Sequence, residues 1–273
     1  MKRILIISGS RADLGLLHCP EKALRTDFEV QLVAAWDNTY FEAFIVANEC
    51  FSVDRPDMIL VLGDRFETLA AVTAAHLLRI PIAHIGGGDV TEGSYDDAMR
   101  DCISRMSSVH FTTSFASTAR LVARGYSNVH LVGNPAVDYI MHEAWQRERE
   151  IAEPYVVVSY QAETIDDTVD LEAVNQAIAG RHAVWISPNP DRGNERISVG
   201  ESYSHDAFLT LLYYCEEFIG NSSAMLYEAP FLKPGGIKCR MIGKRQRGRN
   251  IPWGGDGKAS ERIRDVLRLW PSL

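Results

Sequence analysis

Short apolar runs recur along this chain from one end to the other. Residues 4–7, 30–34, 58–62, 80–84, 109–111 and 130–132 are mostly Ile, Leu, Val, Ala, Met or aromatic. None shows the polar–apolar alternation of a strand with one wet face, so both faces of each should be covered, as in a parallel sheet. Between these runs, 65–78, 95–106 and 114–124 read as helices, and 137–151 reads as a polar helix followed by Pro154. A second, shorter series of strands is predicted at 155–159, 183–186, 217–219 and 237–242, with a last helix at 258–269. Strand then helix then strand, repeated, is the pattern of α/β doubly wound sheets. The break near Glu153 predicts two domains, 1–152 and 153–273, the second carrying the terminal helix. Open α/β sheets bind ligands outside the carboxyl ends of their strands, so two such domains imply an interdomain cleft lined by those ends.

Composition narrows the function classes. The 273 residues are 46% hydrophobic and 23% charged, which fits a folded chain and excludes a disordered or fibrous one. Lys and Arg number 28 against 36 Asp and Glu, a net charge of -8. That balance argues against a nucleic-acid coat or an anionic-membrane binder but leaves room for a local basic pocket. No apolar run approaches the roughly 20 residues that span a bilayer. The run before Ser8 is too short for a signal peptide. The five cysteines are odd in number and lack CxxC spacing. They fit reduced thiols in a cytoplasmic protein better than a disulfide frame or a zinc site.

The chemistry-bearing residues gather where the predicted strands end. The first strand runs into Gly9-Ser10-Arg11-Ala12-Asp13, a turn that can offer N–H groups and the Arg11 fork to an anion. GxGxxG is absent, and a plain strand–helix turn is the alternative. The third strand ends in Gly63-Asp64-Arg65, where Asp64 is either a cleft carboxylate or a helix N-cap. The fourth ends in His84-Ile85-Gly86-Gly87-Gly88-Asp89, three glycines that would let a ligand approach the backbone. Next come Glu92 and Asp96. Asp96 and Arg100 share a helix face, so Arg100 should hold Asp96, while Asp97, Asp101 and Arg105 form a row read as solvated. These carboxylates suggest acid–base work, though at least two should be caps or surface charges.

In the second half, Gly220-Asn221-Ser222-Ser223 follows a strand and opens a helix. Asn221, Ser222 and Ser223 would form an oxyanion site for a diphosphate, with Glu228 a turn further on to accept ribose hydroxyls; N-capping is the alternative reading. The cluster Gly243-Lys244-Arg245-Gln246-Arg247-Gly248-Arg249 is too short and Gly-rich for a nucleic-acid helix and suits phosphate or loop anchoring. Pro188-Asn189-Pro190-Asp191 reads as a turn or a base-edge contact.

Taken together, SGSRADLGLL, PDMILVLGDRFETLAA, IPIAHIGGGDVTEGSYDDAMR, GNSSAMLYEAP and IGKRQRGR, followed by GGDGKASERI, resemble the hydrolysing UDP-N-acetylglucosamine 2-epimerases in family order over nearly the whole chain. The resemblance implies two Rossmann-like domains of the glycosyltransferase-B type with a UDP-sugar between them. It implies a reaction that needs no metal or nicotinamide cofactor: UDP leaves C1 as a base removes the C2 proton, and water adds to the glycal. Asp64, Asp89 and Asp96, with Arg100, match the acidic catalytic positions. Arg11 and Arg245 match phosphate- or sugar-side contacts, and Asn189 a nucleotide-side loop position. The chain departs from the family pattern at Gly86, at Asp101 and at Gln161, where a proton-exchanging side chain is expected. It is also shorter than the family pattern, with a strand and helix expected to be missing between Asn38 and Pro56 and a second contraction between Arg249 and Gly254. A catalytically silent nucleotide-sugar binder and a glycosyltransferase on the same scaffold are the competing readings. The apolar helix 68–78 would suit a homodimer.

Overall fold

The computed structural model describes residues 1–34, 39–91, 94–143, 145, 148–163, 165–189, 193–245, 253 and 255–270. Of the positions discussed above, Asn38, Glu92, Pro190, Asp191, Gln246, Arg247, Gly248, Arg249 and Gly254 lie outside that set, as does the side chain of Arg11. The chain divides into two units. The first comprises Met1–Val90, Asp96–Met141 and Pro252–Leu273; the second comprises Thr91–Tyr95 and His142–Ile251.

The first unit runs β1 (Arg3–Ser8), α1 (Arg11–Leu24), β2 (Glu29–Ala34), α2 (Tyr40–Val53), β3 (Met58–Leu62), α3 (Phe66–Leu77), β4 (Ile82–Ile85), α4 (Asp96–Met106), β5 (Val109–Thr112), α5 (Phe115–Ala123), β6 (Val129–Leu131) and α6 (Pro135–His142). Its six strands form one parallel sheet in the order β2-β1-β3-β4-β5-β6. Alternate residues feed two cores. Ile4, Ile6, Met58 and Leu60 pack with Leu17 and Leu24 of α1; Leu5, Ile7, Ile59 and Val61 pack with Ala71 and Val72 of α3 and Phe51 of α2. Truncating such a fully buried aliphatic to Ala costs about 2–5 kcal/mol.

The second unit runs β7 (Val156–Ser159), α7 (Leu171–Ile178), β8 (Ala183–Trp185), a short 3-10 turn (Asn194–Arg196), α8 (His205–Tyr214), β9 (Glu217–Gly220), α9 (Ala224–Tyr227) and β10 (Cys239–Met241). Its parallel sheet has the order β10-β9-β7-β8. Each sheet therefore starts with a strand pair and then crosses back to the far side of its first strand. The switch points, between β1 and β3 and between β7 and β9, are where doubly wound sheets bind ligands. Among the described residues no helix is long and apolar enough to cross a membrane.

Four expectations are corrected. The terminal helix, α10 (Ala259–Leu269), belongs to the first unit, because Ile263 and Leu267 are buried in the core with Ile4, Leu17 and Leu24. Asp138 of α6 fixes its start: the carboxylate accepts the backbone N–H groups of Ala259 and Ser260 at 3.0 and 2.6 Å. The predicted helix 137–151 stops at His142. Trp145 is buried, stacks edge-on against Tyr213 and gives its carbonyl to the Thr210 hydroxyl at 3.2 Å, so the chain leaves the helical path and the division falls there rather than near Glu153. The segment before Pro56 is not stripped of its helix: α2 fills it, started by a reciprocal capping box between Thr39 and Glu42. Finally, in the helix 68–78 expected to suit a homodimer, Ala70, Ala71, Val72, Ala74 and Ala75 are buried inside their own unit, which leaves Leu77 as its exposed large apolar residue.

Two imidazoles sit in this apolar sheet on neighbouring strands, His84 paired with His110. Burial pushes both down to about 4, and His110 leaves Nδ1 buried without a hydrogen-bond partner while its ring packs edge-on to Tyr126 at 5.0 Å. Both stay neutral when folded and take up a proton at about 6.5 when unfolded, so each contributes stability above pH 6.5 that is lost as pH falls toward 4. His110→Phe should lessen the stability loss between pH 6.5 and 4 by the share one buried imidazole contributes, read by urea denaturation across that range. An unchanged acid slope would refute the assignment.

Candidate functional site

In the first unit, β3 and β4 deliver Gly63-Asp64 and the glycine run to the sheet's carboxyl edge, and α4 supplies the cation. Arg100 is 1% exposed. Its Nη2 bonds the Asp64 carboxylate, its Nη1 bonds Asp97 on the preceding turn, and Nη1 also meets the main-chain carbonyl of Asp89 at 2.9 Å. A buried guanidinium is tolerated only with such charged and hydrogen-bonded partners. Asp64, Asp89 and Arg100 are thus brought together. The row assignment changes: Asp97, expected on a solvated face, is an Arg100 ligand, whereas Asp101 pairs at the surface with Arg124 at 2.5 Å. Asp96 opens α4 and is partly buried. The Asp89 carboxylate is buried and turned toward α5, accepting the Ser117 hydroxyl and, at 3.5 Å, that of Thr113.

His84 braces this edge. Its Nε2 lies 2.8 Å from the Gly63 carbonyl, which can only accept, so Nε2 carries the proton and Nδ1 accepts the Ser104 hydroxyl at 3.1 Å. The glycine run serves packing as much as access. Gly88 has φ +78°, and a Cβ there would press on the Ser117 carbonyl. On the β1 side, Ser10 caps α1 and places Arg11 at its first position. Asp13, which the sequence left unassigned, accepts the Gly9 N–H at 3.0 Å. Burial raises its carboxyl to about 6 despite the nearby Arg65 and the Ser10 and Gly9 hydrogen bonds. Arg65 in turn grips the buried Glu67 with two bonds of 3.1 and 2.8 Å.

In the second unit, the β7/β9 switch point is built on Gln161. Asn221, fully buried, returns both amide atoms to the Gln161 backbone at 2.8 Å each. Gly220, at φ +136°, makes this possible, since a Cβ there would overlap the Ser159 carbonyl. Asn221 is therefore a strand-end clasp, where an N-cap or a substrate contact was expected. The Gln161 side-chain oxygen accepts from the Asn189 N–H at 3.1 Å and from Asn194 Nδ2 at 2.7 Å. Arg245 donates to the Ala162 carbonyl at 3.1 Å, and the Lys244 N–H to Glu163 at 2.7 Å. Asn189, Asn221 and Arg245 thus converge on residues 161–163, a hub that the sequence did not reveal. The helix after Asn221 is a single turn, α9, so its macrodipole contributes little. The Ser222 hydroxyl accepts the Ala224 N–H at 3.3 Å, and Ser223 is exposed with no side-chain capping bond. Glu228, buried at the end of α9, meets His205 Nε2 at 2.6 Å.

Two parallel doubly wound sheets, with carboxylates at one switch point and amides and hydroxyls at the other, define a glycosyltransferase-B type α/β protein. Solved structures agree on that fold: a Methanocaldococcus jannaschii UDP-GlcNAc 2-epimerase in complex with UDP-GlcNAc and UDP aligns with TM-score 0.78 at 17% identity, covering 99% of this chain and 100% of that one. The S. aureus MnaA–UDP co-structure aligns with TM-score 0.77 at 18% identity over 98% and 96%. Residues 23–254 match the family described as UDP-N-acetylglucosamine 2-epimerase, and the chain belongs to that family. Similar proteins include a Neisseria meningitidis UDP-N-acetylglucosamine 2-epimerase, 26% identical over 92% of this chain and 82% of its own length. The Escherichia coli polysialic acid biosynthesis protein P7 is 27% identical over 91% and 80%.

Asp13 gives a pH test of the β1 edge. Its folded-state value of about 6 lies above the ordinary 3.8, so the ionised carboxylate costs stability above pH 6, and that cost vanishes as pH falls to 3.8. Asp13→Asn, which keeps an acceptor for the Gly9 N–H, should stabilise by about 1–3 kcal/mol at pH 7.5 and by nothing near pH 4, measured by thermal melts. A gain equal at both pH values would exclude the titration. At the other edge, Arg100→Met should destabilise by about 1–4 kcal/mol, because it strands the partly buried Asp64 and Asp97 carboxylates and leaves the Asp89 carbonyl unpaired; chemical denaturation at pH 7.5 reads this, and no loss of stability would be the contrary outcome.

Proposed function

We propose that this chain is a hydrolysing 2-epimerase acting on UDP-N-acetylglucosamine or a close UDP-acetamidohexose. The observation that carries this reading is the ion pair between Asp64, at the carboxyl end of β3, and the buried Arg100. Supporting it, a Campylobacter jejuni relative named GDP/UDP-N,N'-diacetylbacillosamine 2-epimerase (hydrolyzing) is 26% identical over 76% of this chain and 61% of its own length.

In the first step Asp64 takes the C2 proton. The C–H electron pair forms the C1–C2 double bond, and UDP departs from C1 with the electrons of the broken C–O bond. In the second step water supplies a hydroxyl to C1 and a proton returns to C2 on the other face, giving N-acetylmannosamine. Substrate plus water equals sugar plus UDP. Arg100 orients Asp64. Asp96 acts as the acid, and Asp89 anchors the glycine loop and positions water. Ser222, Ser223 and Arg245 hold the diphosphate, and Arg11 is a further phosphate- or sugar-side contact. Glu228 takes the ribose hydroxyls, and Asn189 lies on the nucleotide side. A silent binder is favoured by one observation: Gln161 occupies a position expected to exchange protons, and its side-chain oxygen is committed to Asn189 and Asn194.

Incubation with UDP-N-acetylglucosamine in deuterated water decides between them. Turnover should release UDP and place deuterium at C2. Asp64→Asn should cut the rate by about 10²–10⁴ while UDP affinity, read by calorimetry, is kept. UDP binding without turnover in the wild type would select the silent binder, and the absence of both would end the proposal.

A further inference from the structure

His205 is the one titratable side chain in direct contact with Glu228 among the described residues, and no step above employs it. It is the first residue of α8, whose start is fixed by the Ser204 hydroxyl accepting the Ala207 N–H at 3.3 Å. Glu228 closes α9, 23 residues later. Nε2 and Oε1 stand 2.6 Å apart, with side chains 19% and 9% exposed. The contact occupies one carboxylate oxygen. Oε2 of Glu228 has no hydrogen bond among the described residues. Burial alone would drive the proton off His205, yet Glu228, with Asp206 beside it, holds it above its ordinary value.

A glutamate at a loop end has free side-chain torsions, and fixing them on ligand binding costs about 1–2 kcal/mol of rotamer entropy. A charge-assisted bond to one oxygen removes that freedom beforehand and leaves the other oxygen aimed as an acceptor. We propose that His205 is a positioning residue: by holding Oε1 it presents Oε2 of Glu228 to the ribose hydroxyls of a nucleoside diphosphate, and so sets preference for ribose over dideoxyribose. This rests on the reading of Glu228 given under Proposed function.

Calorimetry of the full chain with UDP and with 2′,3′-dideoxy-UDP tests it. The wild type should prefer UDP by about tenfold or more, the worth of a hydrogen bond to a charged group. His205→Phe should lose most of that preference while binding the dideoxy nucleotide within about twofold of wild type, since only the hydroxyl contact is affected. His205→Asn, too short to reach Glu228, should behave likewise and serves if the Phe variant does not fold. His205→Gln, which restores an N–H at similar reach, should recover most of the preference. A merely structural ion pair would weaken both nucleotides together or leave the ratio intact; either result overturns the role of His205 while the Glu228 reading stands. A wild type that binds UDP no better than the dideoxy form overturns both.

Discussion

A guanidinium cannot shed its proton, so wherever Arg100 goes its charge goes too. Placed at 1% exposure beneath the carboxyl edge of the first sheet, it dictates what surrounds it. Asp64 must end β3 facing it, Asp97 must lie one turn back on α4, and the Asp89 carbonyl must turn inward. Three segments distant in sequence are thereby drawn to one point. The neutral His84, bonded to Gly63 and Ser104, fixes the same strand ends without adding charge. Burial keeps its imidazole neutral, and the neighbouring His110 adds to that effect.

The second unit solves the equivalent problem with amides. Asn221 and Gln161 exchange hydrogen bonds across the β7/β9 switch point, and Asn194 and Asn189 complete the knot around the Gln161 side chain. The knot itself is made of neutral amides, and the carboxylate buried beside it, Glu163, accepts the Lys244 N–H.

Ten strands were legible as short, mostly apolar runs, the central ones covered on both faces as in a parallel sheet, while the edge strands β2 and β10 are largely exposed. Helix lengths were less so. The reading of 137–151 as one helix failed at Trp145, whose packing on Tyr213 is invisible to local periodicity. The bonds of Arg100 to Asp97 and Asp64 were not read from the sequence, because a spacing of four and a spacing of three both place a carboxylate within reach on a helix, and Asp64 lies 36 residues away. Asp64, Asp89 and Arg100, which the structure brings together, were named from strand-end motifs. The roles of Asp13 and His205, and the hydrogen bonds that make Gln161 a hub, could not be read in this way, since they lie in burial and in contacts between elements rather than in spacing.

The return of α10 to the first sheet bears on how the polypeptide is made. Ribosomal synthesis delivers residues 142–251 as an uninterrupted stretch, so the second unit can close on its own material as soon as it emerges. The first unit cannot: the groove beside Leu17 and Leu24 stays uncovered, and Asp138 has nothing to cap, until Ala259 to Leu267 leave the exit tunnel. During that interval the nascent chain displays a greasy face of the kind chaperones bind. The earlier-translated half is thus the later one to mature.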